Sequence, residues 1–261
     1  MCADAIEYEL GVPIPGRILP ADQWARTALK RLPPAGPVDW PAVFGRRAPL
    51  VLDLGCGNGR FTLGSALARP EMNHLGVDIL PVVIRYATRR GNQRGLDNVR
   101  FAVTGGYELL ENYVAAHSVA EVHLYHPQPY RDPEKSARRL ITPAFLALVH
   151  RALVPDGLFV FQTDSAAYWR YLGTVVPQFF EFHEQVGPWP DAPAGRTRRE
   201  IMARKKGLPV FRAWCRPHPG LDDAGLQTLA AALPLPEFDA GDTHPDPRSI
   251  RRRRRPPRRR R

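Results

Sequence analysis

Between residues 49 and 162 short apolar runs alternate with stretches of helical spacing, and few folds accept that order. Pro49-Leu50-Val51-Leu52-Asp53-Leu54 is almost continuously apolar, as expected of a strand buried on both faces. Runs at 73–78, 98–103, 120–125 and 158–162 read as further strands, and 60–68, 81–94, 107–116, 142–153 and 165–175 as helices between them. Pro155-Asp156-Gly157 reads as the stop of the helix at 142–153. After a Pro/Gly-rich break at 187–195, residues 196–206 read as a helix and 209–215 as a terminal strand. Strands alternating with helices imply a parallel sheet with right-handed crossovers.

Six prolines before residue 38 interrupt long helices and leave room for a short one at about 20–31. The expected organisation is therefore an extension at 1–38, one domain at 39–217 and a Pro- and Arg-rich disordered tail at 218–261. Nine of the 37 lysines and arginines lie in 251–261, which leaves 28 basic against 26 acidic side chains elsewhere. The basic character thus belongs to the tail. Such a tail reads either as a nucleic-acid arm or as a solvated segment that binds any polyanion. No run of about 18 apolar residues suggests a membrane span. The acidic start Met1-Cys2-Ala3-Asp4-Ala5-Ile6-Glu7 lacks the pattern of a signal peptide, and Cys2, Cys56 and Cys215 lack metal-ligand spacing, so a reducing cytoplasm is the expected location.

Asp53-Leu54-Gly55-Cys56-Gly57-Asn58-Gly59 follows the first long strand and opens a helix. Gly55, Gly57 and Gly59 permit positive φ and close approach of a ligand to the backbone, at the strand ends where such sheets bind ligands. Asp78 ends the next strand, about 20 residues on, where a carboxylate accepts both hydroxyls of a ribose. Asp53 suits a ligand carrying an ammonium group, such as S-adenosylmethionine. A dinucleotide fits less well, because the third glycine of G-x-G-x-x-G is displaced. The competing reading is an ordinary strand-to-helix turn with Asp78 as a helix cap.

With Asp39-Trp40-Pro41 at its start, the region from 39 to about 215 resembles the bacterial tRNA (guanine-N7)-methyltransferases, a family of class I S-adenosylmethionine-dependent enzymes. Residues 51–61, 98–110, 124–139 and 162–164 carry the likeness. So do Thr197-Arg198-Arg199-Glu200 and Gly207-Leu208-Pro209-Val210-Phe211-Arg212. The resemblance implies a doubly wound, mostly parallel seven-stranded α/β sheet of the Rossmann-like methyltransferase kind. It implies S-adenosylmethionine as cofactor, held by Asp53, Gly55, Gly57, Gly59, Asp78, Ile79, Gly105 and Gly106. It implies tRNA as partner, with Asp164, Thr197 and Glu200 binding guanine.

The chain departs from the family at informative places. Relatives carry Pro-Asp-Pro-Trp and then lysine after the fourth strand, where this chain has Pro127-Gln128-Pro129-Tyr130-Arg131-Asp132. The proposed catalytic aspartate thus aligns with Gln128, and a substrate-contacting lysine with Asp132. An acidic residue that holds the adenine amine aligns with Gly105, whereas Arg138 and Arg139 match the family's basic pair. Guanine N7 has a lone pair and no proton, so alignment of reactants does most of the work there. Losing the carboxylate costs roughly 10–1,000-fold in rate by analogy with other charge-stabilising groups. Plainer readings also stand: Asp164 as cap of the helix near Ser165, and Glu200 as partner of Arg204. Two other activities compete with guanine methylation. One is a catalytically weakened RNA-binding protein, the other a methyltransferase with a different acceptor. His123 and His126 lack a third metal ligand, and Tyr130 reads either as a base-stacking residue or as packing.

Overall fold

The computed structural model describes residues 6–34 and 36–239, so the arginine run and its reading as an RNA arm lie outside the described residues. The alternating pattern folds into strands β3 (Leu50–Leu54), β4 (Asn73–Asp78), β5 (Val99–Val103), β6 (Val119–Tyr125), β7 (Leu153–Thr163), β8 (Phe180–Glu184) and β9 (Phe211–Pro217). They form a seven-stranded sheet in the order β5-β4-β3-β6-β7-β9-β8. β9 runs antiparallel to both neighbours, and the other strand pairs are parallel. All five residues of β3 are buried, as its unbroken apolar run requires at the sheet centre.

Helix α1 (Trp40–Phe44) precedes β3, and helices α2 (Arg60–Ala68) and α3 (Pro81–Gln93) cover one face, where Leu63, Ala66, Ile84 and Ala87 pack on Val99 and Phe101. The other face is covered by α4 (Gly106–Asn112), α5 (Pro143–Ala152) and α6 (Ala166–Val175), which enclose the larger core. The strand order reverses between β3 and β6, so their carboxyl ends leave a crevice at which ligands bind in such sheets.

Several boundaries differ from expectation. α5 ends at Ala152 and β7 begins at Leu153, so Pro155-Asp156-Gly157 lies within a strand; a shift in pairing between Val119 and Glu121 absorbs the irregularity. β8 was not legible as a strand: it is a five-residue sheet edge with few buried side chains. Residues 20–31 form no long helix, only a 3-10 turn at Ala21–Gln23. Thr27 and Leu29 instead exchange backbone hydrogen bonds with Phe101, which supplies partners to the edge strand β5.

The N-terminal segment is integral to the domain and not an appendage. β1 (Tyr8–Glu9) and β2 (Val12–Pro13) form a hairpin, followed by Ile14 buried against α2 and α3. The domain also extends past the expected end near 217. Helix α8 (Asp223–Ala232) buries Leu226 in the main core, and Arg139 donates to the carbonyls of Pro236 and Phe238. Its guanidinium stacks 3.8 Å from the Phe238 ring centroid. Apolar surface left on α5 is the physical reason: something must cover it, and α8 does. Among the described residues no helix is long and apolar enough to cross a membrane.

Candidate active site

The glycine loop sits at the crevice. Gly55 and Gly57 have φ of +73° and +54°, and a Cβ on either would meet nothing within 4 Å. Their lack of side chain serves the turn and keeps the backbone open to a ligand. Gly59 has another purpose, because a Cβ there would lie 2.9 Å from Ala87 Cβ and 3.1 Å from the Phe101 ring. It is a packing glycine. The amides of Gly55 and Cys56 donate to the Val77 carbonyl at 2.8 and 2.9 Å, fastening the loop to β4.

Asp78 joins both parts of this cradle: Oδ2 accepts from Gly57 N at 3.1 Å and Oδ1 from Leu80 N at 2.9 Å. Ile79 is 66% exposed beside it. A Cβ on Gly105 would lie 3.7 Å from Ile79 Cγ2, and one on Gly106 would lie 3.3 Å from Leu54 Cβ, so both glycines border the β3–β4 end of the crevice. Asp53 is 2% exposed, and its Oδ2 accepts from Thr62 Oγ1 at 2.5 Å. Burial pushes its carboxyl up to about 7, with the Asp78 charge adding to the rise and the Thr62 bond opposing it. Burial likewise raises the Cys56 thiol far above its ordinary range, so this cysteine is not a reactive thiolate.

The Asp53 shift has a consequence for stability. An unfolded chain releases this proton near 3.8, whereas the folded protein keeps it to about 7. Folded protein then binds more protons than unfolded between those values, so the Asp53 contribution to stability falls as pH rises through that window. Asp53→Asn cannot ionise and keeps an oxygen for Thr62. Its stability relative to the natural chain should rise between pH 4 and 7 by on the order of a few kcal/mol, then level off. Paired thermal or urea unfolding series across pH measure this, and a flat difference would show that Asp53 titrates normally.

A cleft of about 770 Å³ opens on the loop and is lined by Asp53, Gly55, Gly57, Gln128, Asp164 and Thr197, which brings together six of the expected residues. Asp164 follows β7 and is 6% exposed; its Oδ1 lies 3.0 Å from His126 Nδ1 and its Oδ2 2.7 Å from Arg199 Nη2. Burial alone would raise this carboxyl, but the His126 hydrogen bond and the Arg199 guanidinium hold it well below the usual carboxylate range. The helix cap here is Ser165, which accepts from Tyr168 N, so Asp164 is not spent on capping.

His126 was not among the expected site residues. Trp189 Nε1 donates to Gln162 Oε1 at 2.8 Å, and indole nitrogen is only a donor, so the Gln162 oxygen must face it. Gln162 Nε2 therefore donates to His126 Nε2 at 3.0 Å, which leaves the imidazole proton on Nδ1, toward Asp164. A histidine next to a strand end carries no signal of that tautomer in sequence. Its partners Gln162 and Asp164 stand at the end of β7, and they are oriented in turn by Trp189 and Arg199 from two further segments.

Two expected substrate contacts lie elsewhere. Asp132 caps the 3-10 helix Pro133–Arg138 by accepting from Glu134 N and pairs with Lys135 at 2.8 Å, outside the cleft lining. Glu200, on α7 (Arg198–Lys205), is fully buried. Its Oε1 accepts from Arg212 Nη2 at 2.6 Å, and its Oε2 from Arg196 N at 2.8 Å and Gln162 Nε2 at 3.2 Å. It pairs with Arg212 and not with Arg204, because α7 presses this face against β7 and β9. Thr197 caps α7 by accepting from Glu200 N, while remaining at the cleft wall. His123 is bonded to Tyr125 and Glu121. A larger cavity of about 910 Å³ shares the Arg60–Phe61 wall but contains none of the expected residues.

The open glycine cradle, the Asp78 carboxylate and two buried charged groups with unmatched atoms, Glu9 and Arg60, fit a nucleoside bearing a charged amino-acid end. A methyltransferase family model matches residues 47–213. The tRNA (guanine-N(7)-)-methyltransferase of Methylococcus capsulatus is 38% identical over 187 residues, covering 71% of this chain and 80% of that protein. That of Halorhodospira halophila is 33% identical over 177 residues, covering 68% and 77%. In fold, the chain is similar to the 16S rRNA methyltransferase KamB, with a TM-score of 0.53 at 14% identity over 74% of this chain and 99% of that one.

Proposed function

The chain belongs to the tRNA (guanine-N7)-methyltransferase family, and we propose that it transfers a methyl group from S-adenosylmethionine to N7 of a guanine in tRNA. The observation that carries this reading is the convergence of Asp164 and Thr197 on the cleft that also contains the glycine loop. When bound, S-adenosylmethionine supplies an electrophilic methyl group.

The chain's own residues have positioning and electrostatic roles. Asp78 is the ribose acceptor, its carboxylate already oriented by two backbone amides. Gly55 and Gly57 let the ligand approach the main chain, and Ile79, Gly105 and Gly106 border the nucleoside end. Asp164 accepts from guanine N1–H and the 2-amino group, both of which are donors, and offsets positive charge on the purine. Gln128 is exposed at the cleft wall and contributes hydrogen bonding without charge. Arg198 and Arg199, about half exposed at the mouth, suit tRNA phosphates.

Incubation of the full chain with tRNA and methyl-labelled cofactor, followed by nucleoside mass spectrometry, tests the proposal. Labelled 7-methylguanosine is expected. Its absence with tRNA binding retained would favour the weakened RNA-binding reading that Gln128 motivates, and a label on another nucleoside would favour a different acceptor.

A further inference from the structure

Among the described residues three side chains lining the cleft keep a buried polar atom without a hydrogen-bond partner; Asp164 Oδ2 has the Arg199 guanidinium at 2.7 Å, whereas the other two, Glu9 and Arg60, are opposite in charge and keep theirs unmatched. Glu9 belongs to the N-terminal hairpin and is 9% exposed. Its Oε1 accepts from Asn58 Nδ2 at 2.6 Å and lies 3.7 Å from the guanidinium groups of Arg90 and Arg198, while Oε2 has no partner. Arg60, the first residue of α2, is 6% exposed. Its Nη2 donates to the Pro13 carbonyl at 2.7 Å and its Nε reaches the Gly195 carbonyl only at 3.5 Å, while Nη1 has no partner.

A buried charged group left with an unmatched atom bears the full cost of its lost hydration. One such atom is a local defect. An unmatched acceptor and an unmatched donor that both line the cleft beside Gly55, Gly57 and Asn58 have the signs of an amino-acid zwitterion. Asp53 is a poorer counter-ion for the ammonium, because burial raises its carboxyl to about 7 and leaves it only partly ionised near neutrality. Residue 9 also lies outside the span 47–213 that the family model covers.

We propose that Glu9 and Arg60 clamp the amino-acid end of S-adenosylmethionine, with Glu9 Oε2 accepting from the ammonium and Arg60 Nη1 donating to the carboxylate. The clamp rests on the cofactor reading above. It makes the hairpin a wall of the binding site and a determinant of cofactor choice.

Calorimetry on the full chain separates the clamp from the rest of the pocket through three ligands. S-adenosylhomocysteine has the whole amino-acid end, decarboxylated S-adenosylmethionine lacks the carboxylate, and 5′-methylthioadenosine lacks the end entirely. Glu9→Gln, which is nearly isosteric, should weaken S-adenosylhomocysteine by about 10–100-fold and leave 5′-methylthioadenosine within about twofold. Arg60→Gln should weaken S-adenosylhomocysteine similarly and leave the decarboxylated ligand unchanged. Should the Arg60 variant not fold, the natural chain still reports through its ligands, which should rank in affinity as S-adenosylhomocysteine, decarboxylated ligand, 5′-methylthioadenosine. Equal weakening of all three ligands by Glu9→Gln, or no weakening of any, would overturn the clamp. A natural chain that binds none of them would overturn the cofactor reading, and the clamp with it.

Discussion

Glu200→Gln should lower the unfolding free energy by about 3–5 kcal/mol, the usual cost of removing one partner from a buried ion pair. The glutamate is fully buried and Arg212 is 5% exposed, so the substitution strands a guanidinium that water cannot reach. The carboxylate also collects an amide from Arg196 and the side chain of Gln162, which ties the start of α7 to β7 and β9. Urea unfolding measures the loss. Replacing both members, Glu200→Met with Arg212→Leu, should cost less than the single change, because no unpaired charge remains. A guanine-reading role predicts the reverse pattern: unchanged stability and a raised KM for tRNA. That result would restore Glu200 to the substrate site.

Asp164→Asn should reduce kcat/KM for tRNA by about 10²–10³-fold, the effect typical of losing a preorganised electrostatic contact. Gln128 supplies no charge, so the cleft-lining carboxylates among the described residues are Glu9, Asp53 and Asp164. Of these, Asp53 is half protonated near neutrality and Glu9 stands among arginines on the N-terminal side. Asp164 is held ionised by His126 and Arg199 and lines the cleft with Gln128 and Thr197. Its loss should therefore appear in the methyl-transfer rate, with the dissociation constant for S-adenosylhomocysteine nearly unchanged. A rate within threefold of the natural chain would remove Asp164 from the chemistry.

The sheet and the glycine loop were legible because their signals are local. The apolar run before Asp53 can bury both faces only at a sheet centre, and the alternate glycines Gly55 and Gly57 accept a turn that other residues resist. Thr197-x-x-Glu200 was legible as a motif, but its meaning was not. The spacing predicts a helix start, and Thr197 does cap α7, yet the destination of the Glu200 carboxylate depends on Arg212, twelve residues on in strand β9.

The N-terminal hairpin and α8 show the same division. Proline spacing in the first segment and the polar composition after Pro217 point away from a core, and periodicity alone offers no reason to fold them in. Their place follows from what the rest of the domain leaves uncovered, the apolar faces of α2 and α3 that Ile14 packs on and the surface of α5. Glu9, His126 and Arg199 belong to the cleft for the same reason. Backbone hydrogen bonding and apolar period act over a few residues and survive in a one-dimensional reading. A side chain's charge partners are set by which distant segments packing brings within about 3 Å, and that distance exists only after the chain has closed on itself.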